Sequence, residues 1–598
     1  MDEPGKKFSW KHFEPIKFKK GGFSKRVRKI EKTSLRHAKK FVTTRLDRLS
    51  LVRRVVVGWM ALIVILAGVS LAQWFSFRQA YMVKAPASGG TYSEGVLGPL
   101  ESLNPIFART SAERSAAKLL FASLYSYDST GHIKSDLAKS LTINDTQTEY
   151  TVTLRSGLKW SDGAPLTVKD VIFTANLLKN SQVRSEISGW ETVTVEQADP
   201  GTVRFKLPGA YAPFIHALNF PILPEHVLSE VEASTLHEYD FSQNPVTSGP
   251  FALRLLQSLS SDGSKKIVHM VANPNYHLGK AKLDRFQLYV YKDRSEVEKG
   301  LRTSEIIATP ELNYKTQPEA LKRNLVSQSQ GINNGVYALF NTTSELLRDK
   351  NIREALSISV DRSEVIKAIS SGAISLDGPV LGNQVSDLPK AETKNVARAK
   401  QALDSAGWID DGKIRSKDGV ELAIRLVALK DTGPSQAVSS LAKMWQSELH
   451  IKVEIQMLDP LDSNQSVLQT VLQPRNFDVL VYELVLGGDP DSYAYWHSSQ
   501  ANPNGLNFSN YSNVIADDAL AGARTRTDAS YRDDRYRTFA KRWLSDVPAV
   551  ALYQPKIDYI HSENVEALSE NAQLVSAEDR FSDVLYWSVD KSLVHKTP

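Results

Sequence analysis

Side chains that could serve as nucleophiles or metal ligands are few in this sequence, and their spacing does not suit those tasks. There is no cysteine, which excludes disulfides, thiolate metal ligands and cysteine nucleophiles. The 12 histidines are scattered, and His226 and His237 lie too far apart to form a ligand pair on one helical turn. The sequence contains no serine-nucleophile elbow, no His-Glu-x-x-His zinc helix and no phosphate-binding loop. We therefore expect a protein that is not an enzyme and that uses no metal and no cofactor.

Carboxylates and aromatic rings do occur together in one stretch, which contains Tyr482, Glu483, Asp489, Asp491, Tyr493, Tyr495 and Trp496. The sequence Asp-Pro-Asp at 489–491 is typical of a chain reversal or of residues that cap a helix. For each carboxylate the alternatives are a capping or solvated side chain and a group that holds a ligand.

The stretch from Val55 to Phe77 carries no charged residue, and as a helix it is long enough to cross a membrane. Residues 1–54 contain 18 Lys and Arg against 5 Asp and Glu, a net charge of +13; the whole chain is +6, which leaves −7 for residues 55–598. Short basic segments remain cytoplasmic. We predict a single-pass protein of the cell membrane, with a basic cytoplasmic tail at 1–54 and a large extracellular domain. The alternative is a cleavable signal peptide with a cleavage site at 70–72, but the leading region is too long for one.

The basic tail also suggests a lipid contact. Apolar residues recur at helical spacing among the basic ones from Val27 to Leu49, a pattern that suits a helix on an anionic membrane surface. Aromatic residues interleaved with lysine upstream leave a nucleic-acid or protein contact open, as does the simpler reading of the tail as a topology determinant. No base-reading motif is present, so we expect no specific nucleic-acid partner.

The remaining chain mixes strand and helix patterns throughout. Residues 150–154 and 202–207 alternate as strands, and Thr167 with Asp170 forms a capping box that predicts a helix start. Residues 397–406 and 440–449 show helical periodicity. About 500 residues of this composition exceed what one core usually supports, so we expect an α/β protein of two or more lobes.

Several segments go beyond such generic patterns. Residues 157–171, GLKWSDGAPLTVKDV, closely resemble the signature stretch of the family 5, or peptide-binding, solute-binding proteins of ABC importers. Further segments that are similar to this family follow the family's order, at 102–105, 244–251, 340–341, 352–362, 402–408, 487–492 and 507–513. The resemblance covers about residues 90 to 590.

This resemblance implies a two-lobed α/β clamp of the periplasmic-binding-protein type, in the large peptide-binding class of type II with an extra subdomain. One lobe, with the subdomain, would contain residues 91–310 and 551–598, and the other residues 311–550. One transmembrane helix would precede the clamp, joined to it by a linker at 78–90. Ligand would bind between the lobes and favour the closed form.

The resemblance also implies candidate ligand-binding residues, which are Asn104, Tyr482, Glu483, Asp489, Tyr493 and Trp496. Peptide-binding relatives hold the free amine of the ligand with a carboxylate just before the Gly-Asp-Pro turn, a position that falls near Leu486 here. Glu483 or Asp489 would have to replace it. A blocked peptide, a larger oligopeptide and a nonpeptide solute remain alternatives to a free-amine peptide.

The function implied is delivery of peptides or a similar solute to an ABC permease. Because the chain has no phosphate-binding loop, ATP hydrolysis must belong to a separate subunit. The alternative is a receptor that uses the same clamp to sense its ligand. A tail of 54 residues is too short for an ordinary catalytic domain, which argues against direct signal output.

Overall fold

The computed structural model describes residues 49–369, 372–430, 432–459 and 466–595. The chain divides into two compact units, residues 1–85 with 593–598, and residues 86–592. Residues 1–48, which make up most of the predicted basic tail, lie outside the described residues.

The first unit contains helix α1 (Leu49–Tyr81), followed by strand β1 (Met82–Pro86) at the boundary between the units. Within α1, the segment Val55–Ser76 is the one described stretch that is long and apolar enough to cross a membrane, and its side chains are exposed. Residues 78–81, part of the predicted linker, continue this helix.

The second unit contains most of the strands. In chain order they are β2 (Thr91–Leu97), β3 (Tyr125–Tyr127), β4 (Ile133–Ser135), β5 (Ala138–Ile143), β6 (Glu149–Leu154), β7 (Thr194–Asp199), β8 (Thr202–Lys206), β9 (Phe251–Ser258), β10 (Lys266–Ala272), β11 (Arg285–Tyr291), β12 (Ala308–Thr309), β13 (Leu325–Gly331), β14 (Asn334–Phe340), β15 (Ala373–Ser375), β16 (Ser416–Lys417), β17 (Val420–Glu421), β18 (Ala423–Leu429), β19 (Lys452–Leu458), β20 (Val479–Val485) and β21 (Ala549–Ser562), with β22 (Lys591–His595) paired to β1.

The helices of the second unit connect and cover these strands. They are α2 (Ser111–Leu120), α3 (Val168–Lys179), α4 (Phe214–Ala217), α5 (Glu225–Leu228), α6 (Arg294–Arg302), α7 (Glu319–Lys322), α8 (Lys350–Ile358), α9 (Arg362–Lys367), α10 (Val396–Ser405), α11 (Ser435–Leu449), α12 (Tyr493–Trp496), α13 (Val514–Arg524) and α14 (Ala529–Asp546).

The largest sheet runs through the whole second unit in the order β19-β18-β20-β14-β21-β12-β2-β11-β10-β9, with β13 and β15 also paired to β21. The first part of β21 is antiparallel to β14, from Ala549 to Tyr553. Its second part is antiparallel to β13, from Lys556 to Ser562. Pro555, which has no N–H to donate, lies where β21 changes partner. One strand therefore belongs to both halves of the sheet.

Separate cores support the two halves. The largest core combines residues from 92–308 with residues from 559–587, and the rings of Trp160 and Trp587 are buried in it. Two further cores lie between residues 336 and 553. On β20, Val479 and Val481 belong to one of these and Leu480 to the other, as expected for a strand with both faces covered. Below, the first half of this unit means residues 91–331 with 563–592, the second half means residues 334–548, and β21 is shared by both.

Side-chain caps fix where several helices begin. Thr110 with Glu113 and Thr167 with Asp170 form capping boxes at α2 and α3, which confirms the predicted start of α3. Asp528 accepts a hydrogen bond from the N–H of Tyr531 at 2.7 Å and starts α14, a helix that carries an arginine of the candidate site.

Candidate functional site

The turn between β20 and α12 holds two buried carboxylates that are paired with arginines of the second half. Arg532 on α14 donates two hydrogen bonds to Asp489, of 2.8 and 2.6 Å. Arg524, the last residue of α13, donates through Nε to Asp491 at 2.8 Å. Two parallel bonds to one carboxylate are a strong and geometrically specific arrangement. The carboxylate of Asp489 is thus already neutralised within the protein.

The first half of the unit reaches the same turn. Tyr127 and His216 are hydrogen-bonded at 2.9 Å, and Nε2 of His216 lies 3.6 Å from the Asp489 carboxylate. Tyr211 donates to Asp491 at 3.4 Å. A Cβ on Gly488 would lie 2.4 Å from the Tyr127 ring, so only glycine permits this approach. The acidic-turn contact, as we call it, consists of Tyr127, Tyr211, His216, Gly488, Asp489, Asp491, Arg524 and Arg532.

Burial sets the protonation of this contact. It raises the pKa of Tyr211 to about 12, so its hydroxyl remains a hydrogen-bond donor. Burial also lowers the pKa of His216 below its ordinary value, while the carboxylate of Asp489 acts in the opposite direction. The neutral imidazole is therefore favoured where the two halves meet.

Glu483 lies near the end of β20 and has a different environment. It accepts a hydrogen bond of 2.6 Å from the Asn334 side chain, and burial raises its pKa. Among the residues that the structure describes, no Lys, Arg or His forms an ion pair with it. Its Oε2 lies 3.9 Å from the position of a Cβ on Gly433. Glu483 is thus a half-buried carboxylate without a cationic partner in the described part of the chain.

A cavity of about 730 Å³ lies beside Gly433, and both halves form its walls. Residues 294–298 and 310–317 come from the first half, residues 432–436 from the second, and residues 556–558 from the shared strand β21. This volume falls within the range of about 300–1,000 Å³ that is common for small-molecule sites. A solute bound here would contact both halves and the strand that joins them.

The cavity walls are polar and partly organised by the protein itself. Glu311 accepts hydrogen bonds from the N–H of Leu97 at 3.2 Å and from the Ser111 hydroxyl at 3.0 Å, and burial raises its pKa. Asp558 accepts one from the N–H of Tyr314 at 3.3 Å. These bonds hold two carboxylates in place along one wall.

The other predicted site residues lie in more enclosed positions. Asn104 is fully buried and caps the short helical turn Pro105–Phe107. Trp496 is fully buried and packs edge-on against Tyr337 and Trp543. A ligand contact for these two side chains stays a prediction.

The aromatic candidates pack within the second half. The Tyr482 ring meets Phe508 edge-on, with ring centres 5.5 Å apart. Tyr493 stacks on His497, with ring centres 4.0 Å apart. The Arg524 guanidinium lies over the Tyr493 ring, 4.1 Å from the ring centre. The role of both tyrosines in ligand binding also stays a prediction.

Sequence reasoning did not identify the partners of the acidic turn or the residues that line the cavity. Arg532 is 43 positions from Asp489, and Tyr211 is 280 positions from Asp491. No local pattern relates residues so far apart. The sequence indicated these cationic partners only indirectly, since two carboxylates that lie close together in a buried turn require cations nearby.

Comparison with known proteins agrees with this architecture. The family model described as bacterial extracellular solute-binding proteins, family 5, middle region, matches residues 132–505. The oligopeptide-binding protein AppA of Bacillus subtilis is 28% identical over 499 residues, which cover 80% of this chain and 89% of AppA.

Two solved structures show the same fold. That of Bacillus subtilis AppA in complex with a nonapeptide has a TM-score of 0.64 at 25% identity and covers 84% of this chain and 99% of AppA. That of NikZ from Campylobacter jejuni in complex with Ni(L-His) has a TM-score of 0.66 at 23% identity and covers 83% and 99% of the two chains. The predicted two-lobed α/β clamp is confirmed, and the chain belongs to the family 5 bacterial extracellular solute-binding proteins.

Proposed function

We propose that this protein is the membrane-anchored solute-binding subunit of an ABC importer, which captures a peptide or a similar solute and delivers it to permease subunits served by a separate ATPase. The observation that carries the proposal is the cavity of about 730 Å³ whose walls come from both halves and from β21. A solute that contacts both halves stabilises their closed arrangement, and a permease can recognise that arrangement.

A peptide is the ligand that the cavity supports best. Its walls combine charged and amide side chains with the backbone of β21, and an extended peptide offers many backbone donors and acceptors to such a surface. Bacillus subtilis AppA, which matches 80% of this chain, has been solved with a nonapeptide. Water in a roomy polar cavity would allow varied peptide side chains.

The ligand amine, if there is one, requires a carboxylate other than the one expected near Leu486. Leu486 is buried, and its N–H donates to the carbonyl of Asn333 at 2.9 Å. Asp489 is paired with Arg532, whereas Glu483 has no cationic partner among the described residues. We assign the amine-binding role to Glu483. A nonpeptide solute without an amine is the alternative.

Mass spectrometry of the solutes that co-purify with the full-length protein in nanodiscs tests this proposal. We expect a series of peptides, and calorimetry should then show that synthetic copies bind. Glu483→Gln should weaken a free-amine peptide by about tenfold or more and leave its N-acetylated form unaffected, since a charge-assisted hydrogen bond is lost only in the first case. Repeated recovery of one nonpeptide compound would contradict the peptide assignment.

The anchoring proposal rests on α1 and on charge. The segment Val55–Ser76 is apolar and exposed, and the 54 residues up to Arg54 carry a net charge of +13, which favours a cytoplasmic N-terminus near anionic lipid.

Because the chain has no cysteine, a single introduced cysteine reports its side of the membrane without background labelling. A maleimide that cannot cross membranes should label Glu230→Cys in intact cells and label Lys20→Cys only after permeabilisation. The reverse pattern would contradict the topology.

Deletion of residues 1–50 separates transport from sensing. An importer subunit that keeps its apolar helix should still support solute uptake, because capture and delivery depend on the extracellular domain. A sensor would lose its output, because the tail is the part that faces the cytoplasm. Loss of a ligand-dependent response with intact uptake would favour the sensing alternative.

A further inference from the structure

A second cavity, of about 360 Å³, lies away from the cavity between the halves. It is formed by α8, the start of α9, the segment that leads into α10, the end of α14 and the first residue of β21. Ala549 of β21 lines this cavity and Lys556 lines the other, and the seven positions that separate them span roughly 23 Å of strand. The described residues around this second cavity all belong to the second half or to β21.

Cationic side chains outnumber acidic ones around the second cavity. Arg398 pairs with both Glu354 and Glu392, so the acidic side chains are already engaged. The remaining cationic residues of the lining are Lys350, Arg362 and Lys390. In the described part of the chain none of these three forms an ion pair. The lining has four cationic and two acidic side chains, a net charge of +2.

Arg362 is held in place, but its charge is not neutralised by a paired carboxylate. Its Nε donates to the carbonyl of Ala551 at 2.8 Å, and its terminal nitrogens have no hydrogen-bond partner among the described residues. Burial lowers the pKa of Arg362 below its ordinary value, and the carboxylate of Asp377, which lies beyond ion-pair distance, opposes this shift. A half-buried cation without a close counter-charge is costly, and a bound anion reduces that cost.

An arginine on the neighbouring helix shows the contrasting case. Arg353 on α8 is buried, and its guanidinium donates to main-chain carbonyls at 2.7–3.1 Å. The four acceptors are those of Leu347, Arg348, Asp546 and Val547. The protein itself thus solvates Arg353, whereas it provides Arg362 with one such bond. The unused donors of Arg362 therefore indicate a ligand site.

The lining also contains a neutral donor without a partner. Trp543 on α14 is 2% exposed, and its indole nitrogen lacks a hydrogen-bond partner in the part of the chain that the structure describes. Ser357 and Ser545 add hydroxyl groups to the lining. Guanidinium, ammonium, indole and hydroxyl groups are all donors, and an anion with several oxygens can accept from more than one of them.

We propose that the second cavity binds a phosphate group, held by Arg362 together with the exposed Lys350 and Lys390. Arginine commonly holds phosphate through two parallel hydrogen bonds. A phosphate monoester carries a charge of about −1.5 to −2 at neutral pH, which matches the lining better than the single charge of a carboxylate does. This site goes beyond the proposed function, because it is separate from the solute cavity and does not depend on which solute is carried. The phosphate group belongs either to a free phosphate or phosphate ester or to a phospholipid headgroup.

Calorimetric titration with inorganic phosphate tests the site. The full-length protein in phosphatidylcholine nanodiscs is titrated at constant ionic strength in a phosphate-free buffer. We expect saturable binding in the millimolar range or below, because three cations without paired carboxylates surround the cavity. The absence of saturable binding would overturn this inference and leave the proposed function untouched.

Substitutions then locate the bound phosphate. Arg362→Met should weaken binding about tenfold or more, because a charge-assisted hydrogen bond is lost. The double variant Lys350→Met with Lys390→Met changes only exposed side chains and should weaken binding to a similar extent, whereas arginine at both positions should retain it. The matched control is Lys367→Met with Lys443→Met, which removes two exposed charges on α9 and α11 outside the cavity. Equal affinities in the cavity variant and the control variant would show that phosphate binds elsewhere.

Nanodiscs that contain phosphatidylglycerol distinguish the two sources of the phosphate group. Both kinds of nanodisc are compared at high ionic strength, which screens the general repulsion between phosphate and anionic lipid. Weaker binding of inorganic phosphate in the anionic nanodiscs would assign the site to a lipid headgroup that competes for it. Equal binding would assign the site to a free phosphate or phosphate ester. Either result supports a phosphate site once the substitutions have located it.

Discussion

In the sequence Asp489 is a candidate ligand-binding residue, whereas in the fold its carboxylate forms an ion pair with another residue of the protein. Its side chain is 8% exposed, and Arg532 holds it with two short hydrogen bonds. The same guanidinium also donates to the Tyr536 hydroxyl at 3.0 Å. Charges removed from water in this way are tolerated only as a pair, so each partner depends on the other.

The first prediction concerns this pair. Arg532→Met should lower the free energy of unfolding by about 3–5 kcal/mol, because it leaves a buried carboxylate without its cation. Combining it with Asp489→Asn should recover most of the loss. Urea unfolding of the detergent-solubilised chain, followed by tryptophan fluorescence, measures both effects.

A control for this prediction lies on the same helix. Arg535 pairs with Asp518, whose side chain is 74% exposed, and such surface pairs contribute only about 0–1 kcal/mol. Arg535→Met should therefore change stability little. If Arg532→Met has no larger effect than Arg535→Met, the pair with Asp489 does not support the fold.

The second prediction concerns pH. Burial lowers the pKa of His216 in the acidic-turn contact, so forming the contact releases a proton from a histidine that titrates near 6.5 when solvated. The contact should be fully favoured above about pH 6.5 and weaken as the pH falls through the lowered pKa. Distances between labels on the two halves, measured against pH, check this. His216→Gln should remove most of the pH dependence, and an unchanged profile in that variant would contradict the assignment.

At this scale the sequence predicts local features and misses distant ones. The capping pair Thr167 and Asp170 is confirmed. It depends on two residues that are only three positions apart. The pairing of Asp489 with Arg532 depends on how α14 folds back on the turn, and no short-range pattern records that.

At the scale of elements, the turn between β20 and α12 lies in close contact with the first half of the unit. Gly488 has an ordinary backbone conformation, so its role is steric: a Cβ would meet the Tyr127 ring. The third prediction is that Gly488→Ala costs the contact between the halves about 1–3 kcal/mol and weakens ligand affinity about tenfold. Calorimetry measures the affinity.

Tyr127→Ala provides the matched test of that steric explanation. Added to Gly488→Ala, it removes the ring that the new methyl group would meet, and affinity should largely return. Continued weak binding in the double variant would indicate that the glycine acts through its own backbone instead.

The fourth prediction separates packing from binding at α12. Trp496 is fully buried between Tyr337 and Trp543, so Trp496→Ala should lower the free energy of unfolding by about 3–5 kcal/mol. Ligand affinity of the folded fraction should stay unchanged. A large loss of affinity with unchanged stability would instead support the ligand contact predicted from the sequence.

Elements with clear periodicity were predicted well. The alternation at 150–154 and 202–207 corresponds to β6 and β8, and the helical pattern at 397–406 corresponds to α10. The length and double role of β21 were not predicted. Its residues alternate and cluster as in any buried strand, and a change of partner at Pro555 leaves no signature in that pattern.

At the scale of the whole molecule, the segments shared with a known family predicted the clamp because their order along the chain is itself specific. The cavity could not be predicted in the same way. Its walls come from four separate stretches of the chain, and only the folded arrangement brings residues 294–298, 310–317, 432–436 and 556–558 together.

The fifth prediction follows from the shared strand. A chain truncated before Ala549 lacks the strand that pairs with β14 in one half and with β12 and β13 in the other. Both halves should then be digested rapidly by a protease that leaves the full chain intact. Survival of either half as a resistant fragment would show that it folds without β21.

The position of β21 in the chain also determines when both halves of the sheet can be completed during biosynthesis. Because 548 residues precede it, a growing chain presents two unpaired sheet edges until translation is well advanced. Open edges attract proteases and other unfinished chains. A chain that ends before β21 thus exposes an unpaired sheet edge on each half, and both edges are covered only when this late strand has formed.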